Sequence, residues 1–224
     1  MLTRLLDLTL STVGLVVLSP IAVIVAIAIR ASSRGPVLFT QWRVGQHGQL
    51  FRIYKFRTMH SGDDGIGNSG SAAAQARTTA VGPLLRATKL DEVPQLLNVL
   101  RGEMSLVGPR PDVPEVVAGY TPAMLRILQV KPGITSLASL ELADEEQLIA
   151  GAPDPDRFYT EVVVPAKVAY AMRHVEDQSV GLALRVIGFT IWRLTIGRVW
   201  SRGQGALLRQ IAQQLPERQW SVQP

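Results

Sequence analysis

The sequence contains no cysteine and few histidines. The absence of cysteine from the 224 residues excludes disulfide bonds, thiol catalysis and metal sites with cysteine ligands. The three histidines, His47, His60 and His174, are not paired at helical spacing, so a histidine-ligated zinc site is not indicated. Charged residues are also few, at 18% of the chain, and 23 Lys and Arg outnumber 18 Asp and Glu. The net charge of +5 favours anionic partners such as nucleic acid, phosphorylated substrates or a bilayer surface.

Charge is absent altogether between Leu8 and Ile29. An apolar run of about 22 residues forms a helix about 33 Å long, which matches the hydrocarbon thickness of a bilayer. The run is too long for a cleaved signal peptide, and Arg30 and Arg34 follow it where a cleavage site needs small residues. A buried core helix is the alternative, but core helices of this length usually have a polar face. We therefore expect a membrane helix over residues 1–34.

Ser19 and Pro20 lie in the middle of this run. Proline has no backbone N–H and collides with the carbonyl group four residues earlier, here that of Val16. In hydrocarbon that carbonyl needs another donor, and the Ser19 hydroxyl is close enough to supply one. We expect a sharp bend here. Because arginines lie on both sides of the run, a re-entrant helix with both ends on the cytoplasmic side fits the charges, and a kinked spanning helix is the alternative.

The next part of the chain has the pattern of a small core of strands and helices. Gly35–Gln41 and Leu50–Met59 are strand-like, and Val44–Gly48 reads as a turn between them. Residues 61–76 are rich in Gly, Ser and Ala and are predicted to form a loop. A helical pattern covers about Pro83–Leu100.

Asp91 and Glu92 are adjacent carboxylates within that helical pattern. On a helix they are about 100° apart, so they can converge on one ligand at its edge. Such a pair near a basic cluster suits one metal ion together with a nucleophile or a base. The alternative is an exposed acidic pair whose charge Arg86 and Lys89 offset.

Pro109 and Pro111 flank Arg110 further along the chain. Each proline holds φ near −65°, so an arginine between them is pre-organised as a fork for phosphate. The pattern alone favours the alternative, a surface turn with a solvated arginine.

Several motifs together resemble the bacterial sugar transferase family, the monotopic phosphoglycosyl transferases. The longest is RATKLDEVPQLLNVLRGEMSLVGPRP, Arg86–Pro111, which contains both the carboxylate pair and the Pro-Arg-Pro turn. The segments Lys55–Met59 (KFRTM) and Lys131–Thr135 (KPGIT) match two further family segments, and Ser19-Pro20 matches the kink of the family's re-entrant helix.

The resemblance implies a reaction and roles for particular residues. A nucleotide-diphosphate sugar, usually a UDP-sugar, gives its sugar-1-phosphate to polyprenyl (undecaprenyl) phosphate, and UMP is released. Asp91 matches the nucleophile that forms an aspartyl-phosphosugar intermediate, and Glu92 matches its partner as a ligand or base, with Mg²⁺ held by both. The implied substrate-binding residues are Lys55, Arg57, Arg86, Pro109, Arg110 and Pro111.

Two segments depart from the family pattern, and one of them is the loop at 61–76, which is unusually rich in small residues. After Lys131–Ile134, family members commonly read Thr-Gly-Trp-Ala-Gln, whereas this chain reads Thr-Ser-Leu-Ala-Ser over 135–139. The sequence therefore does not indicate which sugar the donor carries.

The last part of the chain is amphipathic. Gly181–Val199 is apolar, but its arginines recur too often for a spanning helix, and with its tryptophan it suits the headgroup region. A core helix with snorkelling arginines is the alternative. The sequence thus predicts an α/β, mostly helical fold in three parts: a re-entrant membrane helix (1–34), a catalytic domain (35–180) and an amphipathic membrane-associated segment (181–224).

The expected location is the inner (cytoplasmic) membrane of a bacterium, with the catalytic domain on the cytoplasmic face and the phospholipid bilayer as a partner. Nucleic acid is not expected as a partner, because the basic residues lie beside apolar segments rather than along one polar face. A monomer and a homodimer are both compatible with the sequence. Two rival functions stay open: a glycosyl transferase that moves a sugar without its phosphate, and a membrane-tethered binding or scaffolding protein without catalysis.

Overall fold

The computed structural model describes residues 2–60, 78–141, 149, 151–152 and 154–195. Helices predominate in this part of the chain and are joined by two small sheets, which confirms the mostly helical α/β class. The predicted loop at 61–76 and the end of the amphipathic segment, from residue 196 onward, lie outside the described residues.

The structure consists of the following elements. The helices are α1 (Leu2–Ser32), α2 (Gly82–Thr88), α3 (Gln95–Arg101), α4 (Pro114–Val117), α5 (Leu137–Glu141), α6 (Pro155–Phe158), α7 (Val164–Glu176) and α8 (Val180–Thr195). Shorter 3₁₀ segments cover Gln46–Gly48, Leu90–Glu92 and Met124–Gln129, and a π-helical turn, Tyr159–Val163, precedes α7. The strands are β1 (Leu38–Val44), β2 (Leu50–Phe56), β3 (Ser105–Val107) and β4 (Gly133–Thr135).

Helix α1 is the predicted apolar helix, and it is long and apolar enough to cross a membrane. It continues through Pro20 as a single helix. The Ser19 hydroxyl donates to the Val16 carbonyl oxygen at 2.8 Å, so the substitute donor predicted from the sequence is confirmed. The bend and the re-entrant path stay predictions.

One face of α1 packs against the rest of the molecule. Asp7 and Val25 are both buried, and their separation corresponds to about five full turns, so they lie on the same face of the helix. Ser11 and Ile29 follow each of them by one turn and are also buried. Most other apolar side chains of α1 are exposed, among them Val13, Val16, Val17, Val23, Ile24 and Ile27.

The two predicted strand-like segments are strands β1 and β2, and they form an antiparallel hairpin in which Leu38 pairs with Phe56 and Val44 with Leu50. The first strand covers Leu38–Val44 rather than Gly35–Gln41. The second strand ends at Phe56 rather than Met59. Alternation along β2 turns Phe51 and Ile53 inward, where they pack against Val99 of α3 and against Met104.

The continuous helix predicted over Pro83–Leu100 is wrong, because the chain breaks at Lys89. Lys89 adopts a left-handed conformation with φ of 58°, and a 3₁₀ turn over Leu90–Glu92 separates α2 from α3. Pro94 then caps α3 and has no N–H to extend a helix through this region. The break places the carboxylate pair on a tight turn between two short helices.

Strands β3 and β4 form a short parallel pair, with Ser105 opposite Gly133 and Val107 opposite Thr135. The backbones approach so closely that a Cβ on Gly133 would lie 2.0 Å from the amide nitrogen of Gly108. Only glycine fits at this position, and it holds the segment before the Pro-Arg-Pro turn against the segment that contains the KPGIT motif.

Helix α8 covers the described part of the predicted amphipathic segment. It buries Ala183 and Val186 against Val107 of β3 and leaves other apolar side chains exposed, among them Leu184, Phe189, Ile191 and Trp192. One of its faces therefore belongs to the core, and the interfacial role of the other face stays a prediction.

Candidate active site

The 3₁₀ turn over Leu90–Glu92 buries both carboxylates of the predicted pair. Asp91 and Glu92 are each only 7% exposed. The alternative of an exposed acidic pair is therefore wrong. Because a buried carboxylate is costly without compensating charge or hydrogen bonds, these two side chains indicate a site rather than a solvated surface.

Glu92 lies between two cationic side chains from different parts of the chain. Its Oε1 accepts hydrogen bonds from Nζ of Lys55 at 3.2 Å and from Nη2 of Arg110 at 3.0 Å. Lys55 comes from β2 and Arg110 from the Pro-Arg-Pro turn. The structure thus brings together three of the residues that the sequence predicts for the site.

The pKa values of these groups follow from that arrangement. Burial raises the pKa of Glu92, but the charges of Arg110, Lys55 and Lys89 outweigh it, so the net pKa lies well below its ordinary value. Burial, and then the charge of Arg110, lowers the pKa of Lys55 to about 8, although Glu92 opposes that shift. At neutral pH the Glu92 carboxylate is therefore ionised and paired.

Asp91 has a different environment from its neighbour. Burial, followed by repulsion from Glu92, raises the pKa of Asp91 above its ordinary value, while Lys55 and Lys89 partly oppose the shift. Its Oδ1 is buried and accepts no hydrogen bond from the described part of the chain. A buried carboxylate oxygen without a protein donor is available to attack an electrophile or to coordinate a cation.

The Pro-Arg-Pro turn is held from both sides. Pro109 and Pro111 are buried, whereas Arg110 is exposed. The carbonyl oxygen of Pro109 accepts from the Gly133 amide at 2.8 Å, and that of Pro111 accepts from Nη1 of Arg43 at 3.1 Å. These bonds fix the backbone of the turn in addition to the two prolines. The sequence pattern did not indicate the contact from Arg43.

Arg57 follows β2 in the chain, and its side chain contacts the residues just after the C-terminal end of α1. It is only 4% exposed, and its guanidinium donates to the carbonyl oxygens of Ser33 at 2.9 Å and Arg34 at 2.8 Å. These bonds join the residue after β2 to the residues that follow α1. A substrate contact of Arg57 stays a prediction, and the hydrogen bonds that the structure gives it are structural.

Arg86 lies on α2, and its Nε donates to Oγ1 of Thr58 at 3.1 Å. The contact links α2 to the end of the KFRTM segment, which also contains Lys55. The predicted role of Arg86 in substrate binding stays a prediction.

Asn98 is a further residue that the sequence pattern did not indicate. It is fully buried on α3, donates to the Arg52 carbonyl oxygen at 2.7 Å and accepts from the Tyr54 amide at 3.1 Å. These bonds fix α3 against the strand that contains Lys55. Its position among the apolar residues of the helix that follows the carboxylate pair is the sequence feature that could have indicated a buried polar contact.

The carboxylate pair is also attached to α1. Its flanking residues, Leu90 and Val93, pack on the apolar cluster that contains Val25 and Ile29 of α1. The residues on both sides of the pair therefore pack near the second half of α1, and Glu92 contacts Arg110 of the Pro-Arg-Pro turn.

A family model described as "Bacterial sugar transferase" matches residues 1–197. The chain belongs to the bacterial sugar transferase family. The match confirms the resemblance seen in the motifs, and it extends over α1, the hairpin, the carboxylate pair and α8.

Several bacterial sugar transferases are similar to this chain. It is 41% identical over 148 residues to the UDP-glucose:undecaprenyl-phosphate glucose-1-phosphate transferase of Caulobacter vibrioides, covering 61% of this chain and 52% of the relative. A protein of the same name from Klebsiella pneumoniae is 34% identical over 197 residues, covering 85% of this chain and 39% of the relative. The UDP-N-acetylgalactosamine-undecaprenyl-phosphate N-acetylgalactosaminephosphotransferase of Aeromonas hydrophila is 36% identical over 138 residues, covering 60% and 33%.

The chain spans about a third to a half of the length of these relatives. Their names give different sugars, glucose in two cases and N-acetylgalactosamine in the third, on the same undecaprenyl-phosphate acceptor. Membership of the bacterial sugar transferase family is thus compatible with more than one donor sugar.

Proposed function

We propose that this chain transfers a sugar-1-phosphate from a UDP-sugar to undecaprenyl phosphate, as an early membrane step in the assembly of a polysaccharide or glycoconjugate. The observation that carries the proposal is the buried Asp91, whose free Oδ1 lies on a turn packed against an apolar helix, next to Glu92 and its two cations. The names of the relatives support the class of donor and the acceptor.

In the proposed mechanism Asp91 is the nucleophile. Its Oδ1 attacks the β-phosphorus of the UDP-sugar, a new P–O bond forms, and the bond from that phosphorus to the bridging oxygen breaks. The bridging oxygen leaves with UMP, and the sugar phosphate remains on Asp91 as an acyl phosphate. A phosphate oxygen of undecaprenyl phosphate then attacks the same phosphorus and releases the Asp91 carboxylate, which completes the transfer.

Arg110 and Lys55 stabilise charge in this proposal. The reaction concentrates negative charge on the phosphoryl oxygens, and fixed cations next to them lower the barrier without reorganisation. Arg110 is the more exposed of the two and is held rigidly by its prolines, so it is suited to contact the diphosphate. Lys55 lies deeper and keeps Glu92 in place.

Glu92 acts as an ionised partner rather than as a proton acceptor. A general base works best when its pKa lies near the working pH. The pKa of Glu92 is held well below its ordinary value by Arg110, Lys55 and Lys89, after burial is offset. Of the two roles that the resemblance leaves open, the electrostatics therefore favour that of a ligand and anchor for cations.

The residues present fit the Mg²⁺ that the resemblance implies. Among the described residues no group of three or more His, Cys, Asp or Glu side chains could form a complete metal cage. Mg²⁺ is typically held by one or two carboxylates together with water and substrate phosphates, and the adjacent carboxylates of Asp91 and Glu92 provide such a donor set. The ion would neutralise charge on the diphosphate when bound.

The bilayer is part of the proposal because the acceptor is a lipid. Undecaprenyl phosphate stays in the membrane, whereas a UDP-sugar is soluble, so the two must meet at the membrane surface. The packing of Leu90 and Val93 on α1 supports a carboxylate pair at that depth. We propose the cytoplasmic face of the bacterial inner membrane, where UDP-sugars are made, with α1 re-entrant.

A donor screen tests the proposed function. The purified chain in detergent or nanodiscs is incubated with undecaprenyl phosphate, Mg²⁺ and single UDP-sugars, and the released nucleotide is identified. We expect release of UMP with one of the donors. Asp91→Asn should abolish that release, whereas the exposed control Gln49→Asn should retain it. UDP as product would indicate transfer of the sugar without its phosphate, and no release with any donor would favour a membrane-tethered binding protein.

A further inference from the structure

The first two turns of α1, a mainly apolar helix, contain two charged residues, Arg4 and Asp7. Asp7 is only 6% exposed, and its Oδ1 accepts hydrogen bonds from the Ser105 hydroxyl at 3.0 Å and from the Leu106 amide at 2.9 Å. A buried carboxylate is costly, and such donors offset the cost. Asp7 therefore joins the N-terminal helix to β3 through two hydrogen bonds at a buried position.

The bond to Leu106 lies at the edge of the parallel pair. The amides of Ser105 and Gly108 face β4, where they donate to the carbonyl oxygens of Pro132 at 2.8 Å and Thr135 at 3.0 Å. The amide of Leu106 points to the opposite edge of β3, where a further strand would otherwise be needed. Asp7 supplies the acceptor for that edge.

Strand β3 leads directly into the Pro-Arg-Pro turn. Arg110 is four residues beyond Leu106, and Gly108 between them is pressed against Gly133, where a Cβ on Gly108 would lie 2.9 Å from the Gly133 amide nitrogen. The two prolines leave little freedom in the remaining backbone. A shift of β3 therefore moves Arg110 relative to Glu92, which its Nη2 contacts at 3.0 Å.

Arg4, one turn earlier, holds the segment on the other side of that ion pair. Its Nη1 donates to the Val99 carbonyl oxygen at 2.6 Å and its Nη2 to that of Leu100 at 3.0 Å, at the C-terminal end of α3. Helix α3 begins shortly after Glu92. The same two turns of α1 thus fix both segments that bring Glu92 and Arg110 together.

We infer that Asp7 is a positioning residue for phosphate transfer: through β3 it sets the place of Arg110 beside Glu92, so the membrane helix is a structural part of the active site as well as its anchor. The inference rests on the proposed function, because a displaced Arg110 is detected as a lower rate of sugar-phosphate transfer. It concerns a residue of α1 that lies on the domain-facing side of the helix.

The test compares Asp7→Leu, which removes the acceptor, with Asp7→Asn, which keeps an oxygen at the same position. Thr9→Leu places the same side chain on the exposed face of α1 and is the matched control. We expect Asp7→Leu to lower kcat/KM for the UDP-sugar between about 10- and 100-fold, because small displacements of a contact group are costly in catalysis. Asp7→Asn restores most of the activity, and Thr9→Leu changes little.

A double-mutant cycle separates positioning from loss of stability. If Asp7 acts through Arg110, then Asp7→Leu adds little to the defect of Arg110→Gln. Penalties that simply multiply in the double variant, or a wild-type kcat/KM in Asp7→Leu, overturn the inference.

Hydrogen–deuterium exchange gives a second measurement that needs no activity. Asp7→Leu is expected to raise exchange in peptides that cover Met104–Pro111, while peptides of the β1–β2 hairpin keep their protection. Unchanged exchange in that segment overturns the inference even if the wild type transfers no sugar phosphate. A wild type that releases no UMP, with the raised exchange observed, instead overturns the proposed function alone.

Discussion

At the scale of single residues, the two adjacent carboxylates have opposite environments. Burial and the repulsion from Glu92 raise the pKa of Asp91. The cations around Glu92 outweigh the effect of burial and lower the pKa of Glu92. Pairs of titratable groups whose pKa values are driven apart usually divide their roles in catalysis. Here the difference follows from which side chain contacts Lys55 and Arg110, and it supports the proposal in which Asp91 attacks and Glu92 balances charge.

Lys55 gives a pH dependence that can be measured. Its pKa is lowered to about 8 by burial and by Arg110, so its charge is present below that pH and is lost as the pH rises through it. We expect kcat/KM to fall on the alkaline side near pH 8.

Lys55→Arg should remove this alkaline limb of the pH profile because an arginine stays charged. Arg110→Gln should move the limb to higher pH, since it removes one cause of the lowered pKa; a limb unchanged in Lys55→Arg would assign it to another group.

Arg57 and Arg110 both match family segments, but their contacts predict different defects. Arg57→Lys loses part of the bonding to Ser33 and Arg34, which should cost about 1–2 kcal/mol and lower Tm by roughly 4 °C with little change in kcat/KM. Arg110→Lys should leave Tm nearly unchanged and lower kcat/KM about 10- to 100-fold. Thermal unfolding and UMP release measured on the same preparations decide the matter. Loss of activity in Arg57→Lys at unchanged Tm would instead support the substrate contact predicted from the sequence.

At the scale of elements, the sequence predicts those whose pattern is local. The apolar run predicts α1, the two strand-like segments around a turn correspond to β1 and β2, and the Ser19 hydroxyl donates to the Val16 carbonyl oxygen as its position indicates. Helical periodicity does not indicate the break at Lys89, because a left-handed lysine leaves that pattern unchanged.

The elements that depend on distant contacts could not be predicted in this way. Strands β3 and β4 have three residues each, too few for a periodic pattern, and they exist because Gly108 and Gly133 allow close approach. The contact of Asp7 with Leu106 joins positions 99 residues apart. The sequence indicates the carboxylate pair and Arg110 as candidates, but the meeting of Lys55 and Arg110 at Glu92 is a tertiary result.

The approach of β3 to β4 makes Gly133 a sensitive position. A Cβ there would lie 2.0 Å from the Gly108 nitrogen and 2.6 Å from its Cα, and backbone atoms cannot move aside easily. We expect Gly133→Ala to destabilise the fold by about 3 kcal/mol or more and to lower Tm by roughly 10 °C. Gly188→Ala is the matched control, because nothing lies within 4 Å of that position and alanine favours a helix. Equal Tm values for the two variants would contradict the packing of β3 on β4.

At the scale of the whole molecule, both ends of α1 contact the same domain. Asp7 near one end binds β3, and Val25 and Ile29 near the other pack on Phe56 and Leu85. A 31-residue helix is about 46 Å long, whereas the hydrocarbon layer is about 30 Å thick. A helix crossing that layer would place its ends on opposite faces, and a domain in contact with both would have to enter the hydrocarbon, which its polar surface opposes. The contacts therefore favour both ends on one side.

Single-cysteine labelling tests this topology directly, because the chain has no cysteine and each variant contains one thiol. Leu2→Cys and Arg34→Cys report on the two ends of α1, and Gln49→Cys, on an exposed turn of the domain, is the reference. An impermeant maleimide should label all three in inverted membrane vesicles and none in intact spheroplasts. Labelling of Leu2→Cys alone in spheroplasts would instead show that α1 spans the bilayer. Labelling of every variant after detergent treatment is the required control, because it shows that an unlabelled thiol was shielded by the membrane and not by the fold.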